Sequence, residues 1–341
     1  MSDLRGTLAH RLGFVAAEAE LEPHGDAVRE DGFVRRAVRF AGTEGDEVPA
    51  WLLEPAAAGR GAPLPGVVVY HQHNRQHHLG KAEVAGLAGD PLQAFGPALA
   101  RRGVVVLAPD SICFEDRRPS GPGTEPREGD FFEHLKEASY RLVAGRLLMT
   151  TVLGDAARAL SALRALPTVD PARAGVLGHS YGGHVSLYHA ALDERVRFAA
   201  ASGAAASYRR RIADRTGIEL AQVIPDILAL ADFGDLAALV APRPLLLVSA
   251  TADPHSADAG AMPRRRRPPE PPSSTSASRA ATRSRASASS GSWSGSSGAP
   301  SAPTCRGTTN GPSGGAVEAP RAFSTARAAG AASGCAERHM V

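Results

Sequence analysis

The chain has 341 residues, 43% of them hydrophobic, which allows one large α/β domain or two small ones with enough apolar surface for a core. The three cysteines, Cys113, Cys305 and Cys335, are widely spaced and odd in number, which argues against a disulfide framework or a cysteine zinc site. The net charge of +3 is uneven: residues 262–341 hold eleven arginines against three glutamates, and that surplus of eight leaves the first 261 residues at −5, so the basic total is not evidence of nucleic-acid binding.

Residues 1–31 are mixed in character and read as an N-terminal helical segment with no apolar h-region. No apolar run is long enough to span a membrane, so a cytoplasmic protein without membrane contact is expected. Residues 32–40 roughly alternate and predict a strand. A polar turn at 42–47 joins it to a second strand at 48–53, an antiparallel hairpin at a sheet edge. Residues 66–70 form a continuous β-branched run suited to a strand buried on both faces. Residues 91–102 predict an amphipathic helix, 103–110 the next buried strand, and 111–130 a loop rich in Pro, Gly and charge. Residues 131–166 are helical in pattern, with a break near Gly145 or Gly154. Residues 195–202 and 244–250 predict further strands, with helical pieces between them. Strands alternating with helices predict a mainly parallel sheet with helices on both faces.

The most informative stretch is Gly178-His179-Ser180-Tyr181-Gly182. It follows a short apolar strand, led in by Val169-Asp170-Pro171, and precedes a packed helix at 185–192. This is the G-x-S-x-G nucleophile elbow. A strand that turns at once into a helix strains the backbone at the serine, and side-chain-free neighbours let the two elements pass closely. Ser180 is then exposed at the strand tip as a nucleophile. The Tyr181 N–H, at a helix N-terminus, can help hold an oxyanion. A second oxyanion N–H is expected from the segment after the 66–70 strand, from His73 first and Gln72 second. Asp253, just past the last strand, is the candidate acid that orients a histidine, with Asp258 the alternative. The four histidines His71, His73, His77 and His78 also raise a zinc site. No carboxylate or cysteine cluster accompanies them, and adjacent His77 and His78 do not converge, so they are read as pocket-lining or solvent-facing and no metal is expected.

Residues from about 32 to 258 resemble the α/β-hydrolase superfamily, and within it the dienelactone hydrolase-like and acetyl xylan esterase-like proteins. The residues that carry this are Tyr70-His71-Gln72-His73, Ala108-Pro109-Asp110, Gly178 to Gly183, and Ala241-Pro242-Arg243-Pro244 ahead of Asp253. The resemblance implies an eight-stranded sheet, a Ser-His-Asp triad, no cofactor and hydrolysis of small-molecule carboxylic esters through an acyl-serine. It makes segments 111–150 and 204–240 lid candidates. Dienelactone hydrolases proper use cysteine; serine at 180 favours the esterase side. A prolyl oligopeptidase-type peptidase and an inactive hydrolase-fold binding protein are the alternatives.

The chain departs from that pattern at its C-terminal part. The hydrolase domain is expected over 32–260. Beyond it, 261–341 is a tail of Arg, Pro, Ser, Ala and Gly without Leu, Ile or Tyr after residue 262, read as disordered. A frameshift near 258–264 in a GC-rich gene accounts for this mixture; a genuine basic tail is the rival. The family's base histidine follows the acid in sequence, yet here only His255 and His339 do so. His255 is too close to Asp253 to reach Ser180, which leaves His339 as the candidate and an impaired triad as the expectation. His179, inside the elbow, and His184 and His189, on the following helix, do not replace it.

Overall fold

The computed structural model describes residues 2–250, Asp253 and 336–340. The strands are β1 (Glu22–Glu30), β2 (Phe33–Ala41), β3 (Glu47–Pro55), β4 (Leu64–Tyr70), β5 (Val105–Pro109), β6 (Val169–His179), β7 (Ala199–Ser202), β8 (Leu245–Ala250) and β9 (Ala336–Met340). The helices are α1 (Ser2–Arg11), α2 (Lys81–Val84), α3 (Phe95–Ala100), α4 (Asp130–Val143), α5 (Leu148–Arg164), α6 (Tyr181–Leu192), α7 (Tyr208–Asp214), α8 (Ile227–Leu230) and α9 (Phe233–Val240). One sheet runs in the order β1-β2-β3-β5-β4-β6-β7-β8-β9. Its middle, from β5 to β8, is parallel, and antiparallel strands extend it on both sides.

The uninterrupted apolar runs of β4 and β5 follow from burial on two faces. Val68, Tyr70, Val105 and Leu107 join the larger core cluster with α5 and α6, while Val67, Val69, Val106 and Ala108 join the smaller one with Phe33 and Leu53. A period-2 backbone sends alternate side chains to opposite faces, so a strand covered on both needs no polar positions. The helical stretch after residue 130 breaks at Gly145, which takes φ 71°, and not at Gly154, which lies inside α5.

The structure corrects three expectations. Residues 1–31 are helical only over α1; Glu22–Glu30 is a strand outside the β2–β3 hairpin, so that hairpin is not the sheet edge. All nine residues of β1 are exposed, so a backbone ladder and the Glu22–Arg39 and Glu30–Arg35 ion pairs to β2 set it, and no apolar alternation announced it. The predicted lid segments also contain core: α5 begins with buried Leu148 and Met149, and α9 buries Phe233, Leu236, Leu239 and Val240. Finally, the sheet has nine strands among the described residues, not eight: Ala336–Met340, assigned above to the tail, pairs antiparallel with β8. The rest of the predicted tail, 261–335 and 341, lies outside the described residues. Among the described residues, no helix is long and apolar enough to cross a membrane.

Candidate active site

The strand order reverses at β4: β5 lies on one side of it and β6 on the other. Loops leaving the carboxyl ends of two such neighbours run off in opposite directions and open a crevice between them, where α/β sheets bind ligands. Here the loop after β4 carries His71 to His78, and β6 ends at Ser180.

β6 passes directly into α6. Ser180 takes φ 52° and ψ −114°, a conformation that costs a residue with a Cβ about 1–3 kcal/mol. Its N–H donates to Ser202 O at 2.7 Å, and its C=O accepts from the His184 N–H at 3.0 Å. The flanking glycines are obligatory. A Cβ on Gly178 would lie 2.3 Å from Gly182 backbone atoms, and one on Gly182 would lie 2.1 Å from Tyr70 O. The start of α6 therefore touches the end of β4. This contact sets the Tyr181 N–H beside the loop that carries His73. Among the described residues, no acceptor takes the His73 N–H.

Asp253 sits past β8, where its N–H donates to Ala250 O at 3.0 Å. The His179 ring is pushed down by burial, and the Asp253 charge partly opposes that. Among the described residues no histidine ring is hydrogen-bonded to the Ser180 hydroxyl. His179 Nδ1 pairs with Ser202 Oγ at 3.1 Å. His184 is 4% exposed and packs on Phe233. His189 takes the Tyr70 hydroxyl at 2.8 Å and faces Asp193 at 3.3 Å. His339 lies on β9 with its backbone opposite Leu247. Three strand spacings separate β9 from β6, about 14 Å at ~4.8 Å each. His255 and Asp258 lie outside the described residues.

Two side-chain clusters lie beside the elbow, one that the sequence reading missed and one that it named only in part. The first is built on Lys81, 5% exposed. Its Nζ donates to Asp110 at 2.7 Å, Glu115 at 2.6 Å and Asp116 at 2.6 Å, while its N–H donates to Asp110 at 2.7 Å. This ties the histidine loop to the loop after β5. Burial opposes the Lys81 charge, but Asp110 and Glu115 outweigh it and keep it protonated. Burial, then the Asp110 charge, push Glu115 up to about 7. A signal existed: Lys81 is one of two lysines among 38 basic residues. A compact ammonium can meet three carboxylates at once where a planar guanidinium would not. Lys81→Met should cost about 3–5 kcal/mol at pH 8, because it strands buried carboxylates. The loss should shrink below about pH 7, where Glu115 takes a proton. Urea unfolding at pH 8 and pH 5.5 measures both; a loss independent of pH would contradict the arrangement.

The second cluster is the histidine loop, which faces inward. His71 and His77 are 3% and 1% exposed. His71 Nδ1 donates to Gln72 O at 2.8 Å, and its Nε2 accepts from the Ser111 N–H at 3.1 Å. His73 and His77 meet His134 of α4, whose distance in sequence hid the convergence, while His78 stands apart from it.

The mostly parallel sheet flanked by helices, with a positive-φ serine between a central strand and its helix, is the arrangement of the α/β-hydrolase fold. The acetyl xylan esterase (AXE1) family model matches residues 141–217, which span α5, the elbow, α6 and β7. YtaP of Bacillus subtilis (strain 168), named as a hydrolase, is 27% identical over 206 residues, 59% of this chain and 64% of its own length. The chain thus spans less than two thirds of that relative. In structure it is similar to a Bacteroides fragilis NCTC 9343 protein named as an acetyl xylan esterase, with TM-score 0.58, 16% identity, and 73% and 67% of the two chains covered. It is also similar to the methylesterase BT1017, with TM-score 0.50, 19% identity, and 76% and 52% covered. Over residues 141–217 the chain is similar to the acetyl xylan esterase family.

Proposed function

We propose that this chain is a serine-type carboxylic ester hydrolase. The observation that carries the reading is the strained Ser180 at the tip of β6, with the Tyr181 N–H at the start of α6 beside it. Ser180 Oγ attacks the ester carbonyl. The Tyr181 and His73 N–H groups receive the oxyanion, the alcohol leaves, and water releases the acyl group from Ser180. Asp253 is the carboxylate that would orient a base. Among the described residues no imidazole is hydrogen-bonded to the Ser180 hydroxyl; the base that Asp253 would orient lies outside them. Likeness to proteins named acetyl xylan esterase and methylesterase favours a small ester. The acidic first 261 residues favour a small-molecule substrate over nucleic acid. This chemistry requires no cofactor, and a cytoplasmic location fits.

A fluorophosphonate probe tests the serine directly. Mass spectrometry is expected to find slow labelling at Ser180 and none in Ser180→Ala. Equal labelling of both proteins would overturn the assignment.

A further inference from the structure

Ester hydrolysis at Ser180 makes no use of the His73, His77 and His134 rings. One ring nitrogen from each lies within 4.8 Å of the others. His77 Nε2 and His134 Nδ1 are 2.9 Å apart. Two neutral imidazoles share one proton in such a contact, so one nitrogen offers a bare lone pair. His77 Nδ1 is buried without a partner. Phe114 walls the cluster, with ring centroids 5.0 Å from His77 and 5.4 Å from His134. Behind His134 stands Glu219. Its Oε2 accepts the Ala221 N–H at 2.8 Å, and its Oε1 is buried, without a hydrogen bond, 3.8 Å from His134 Nε2.

We infer that His73, His77 and His134 form a zinc-type transition-metal site, with Glu219 as the carboxylate that positions His134. An all-imidazole donor set suits zinc, copper or nickel and not the oxygen-seeking calcium or magnesium. Zn–N bonds of about 2.0–2.1 Å in a tetrahedron put donors about 3.3 Å apart. The 2.9 Å pair must therefore open by a few tenths of an ångström, and its shared proton leaves. His134 then keeps its Nε2–H, aimed at Glu219, the carboxylate–histidine–metal relay common behind such ligands. His73 Nδ1 accepts the Arg75 N–H at 3.0 Å, a contact in an exposed part of the loop. Three protein ligands leave a fourth position for water.

The acidic trio Asp110, Glu115 and Asp116 is the other cluster of this kind among the described residues, but Lys81 Nζ already meets all three. The histidine site has no such resident cation. Bound metal would clip the loop after β4 to α4 and to the 219–222 segment, and would steady the His73 N–H.

Cobalt(II) titration of the full chain tests this independently of ester hydrolysis. One equivalent is expected to give the visible bands of four-coordinate cobalt. His73→Ala, in the half-exposed loop, and His134→Ala should each abolish them, and Glu219→Gln should weaken binding about 10–100-fold. No cobalt spectrum, or one that survives in both histidine variants, would overturn the site. If His134→Ala does not fold, as judged by circular dichroism, His73→Ala decides.

Discussion

Added imidazole is expected to raise the Ser180-dependent rate of p-nitrophenyl acetate hydrolysis at least about tenfold. The Ser180→Ala protein should gain nothing beyond the solution background. The argument rests on how triad members act. A positioned general base contributes about 10²–10⁴-fold, so a base from solution can recover part of that. Triad effects are also non-additive: with the base lacking, deleting the nucleophile costs little more. In plain buffer the parent and Ser180→Ala should therefore lie within a few-fold of each other. Both would keep what the Tyr181 and His73 N–H groups and substrate binding supply, about 10³–10⁴ over water. Fast turnover without imidazole, lost in His339→Ala, would show that the β9 backbone leaves its place opposite β8 in the active enzyme. No Ser180 dependence in either condition would end the serine reading.

The second large effect is on stability. Gly182→Ala should destabilise the domain by at least about 4 kcal/mol or prevent folding. The added Cβ would meet Tyr70 O at 2.1 Å and His71 O at 2.7 Å. Both are backbone atoms of the central strand and its loop, so no flexible side chain can move aside. Relief would require α6 to lift from β4, taking Ser180 with it. Gly6→Ala is the control. Gly6 lies in α1 with nothing within 4 Å of its missing Cβ, so the change should stabilise by about 0.5–1 kcal/mol through helix propensity. Thermal melts of the two variants measure both signs. A tolerated Gly182→Ala would mean that the elbow is looser than its backbone contacts require.

The sequence by itself determined the elements whose reasons are local. The β-branched run of β4 and the glycines around Ser180 each state their role within a few residues. So does the short strand before the elbow. The exposed strand β1 carries no such statement, because a ladder of backbone hydrogen bonds to β2 is indifferent to its side chains. The same limit hid the two clusters around the site. Lys81 finds Glu115 and Asp116 across 34 and 35 residues of chain, and His77 finds His134 across 57. Spacing in sequence says nothing about such pairs, since what joins them is the reversal of strand order at β4 and the docking of α4 over the loop. Histidines were legible as a local density in 71–78; that His78 drops out and His134 takes part was decided only by the tertiary structure. Local backbone geometry follows from neighbouring residues, whereas the meeting of side chains from separate loops depends on how the whole sheet is wound.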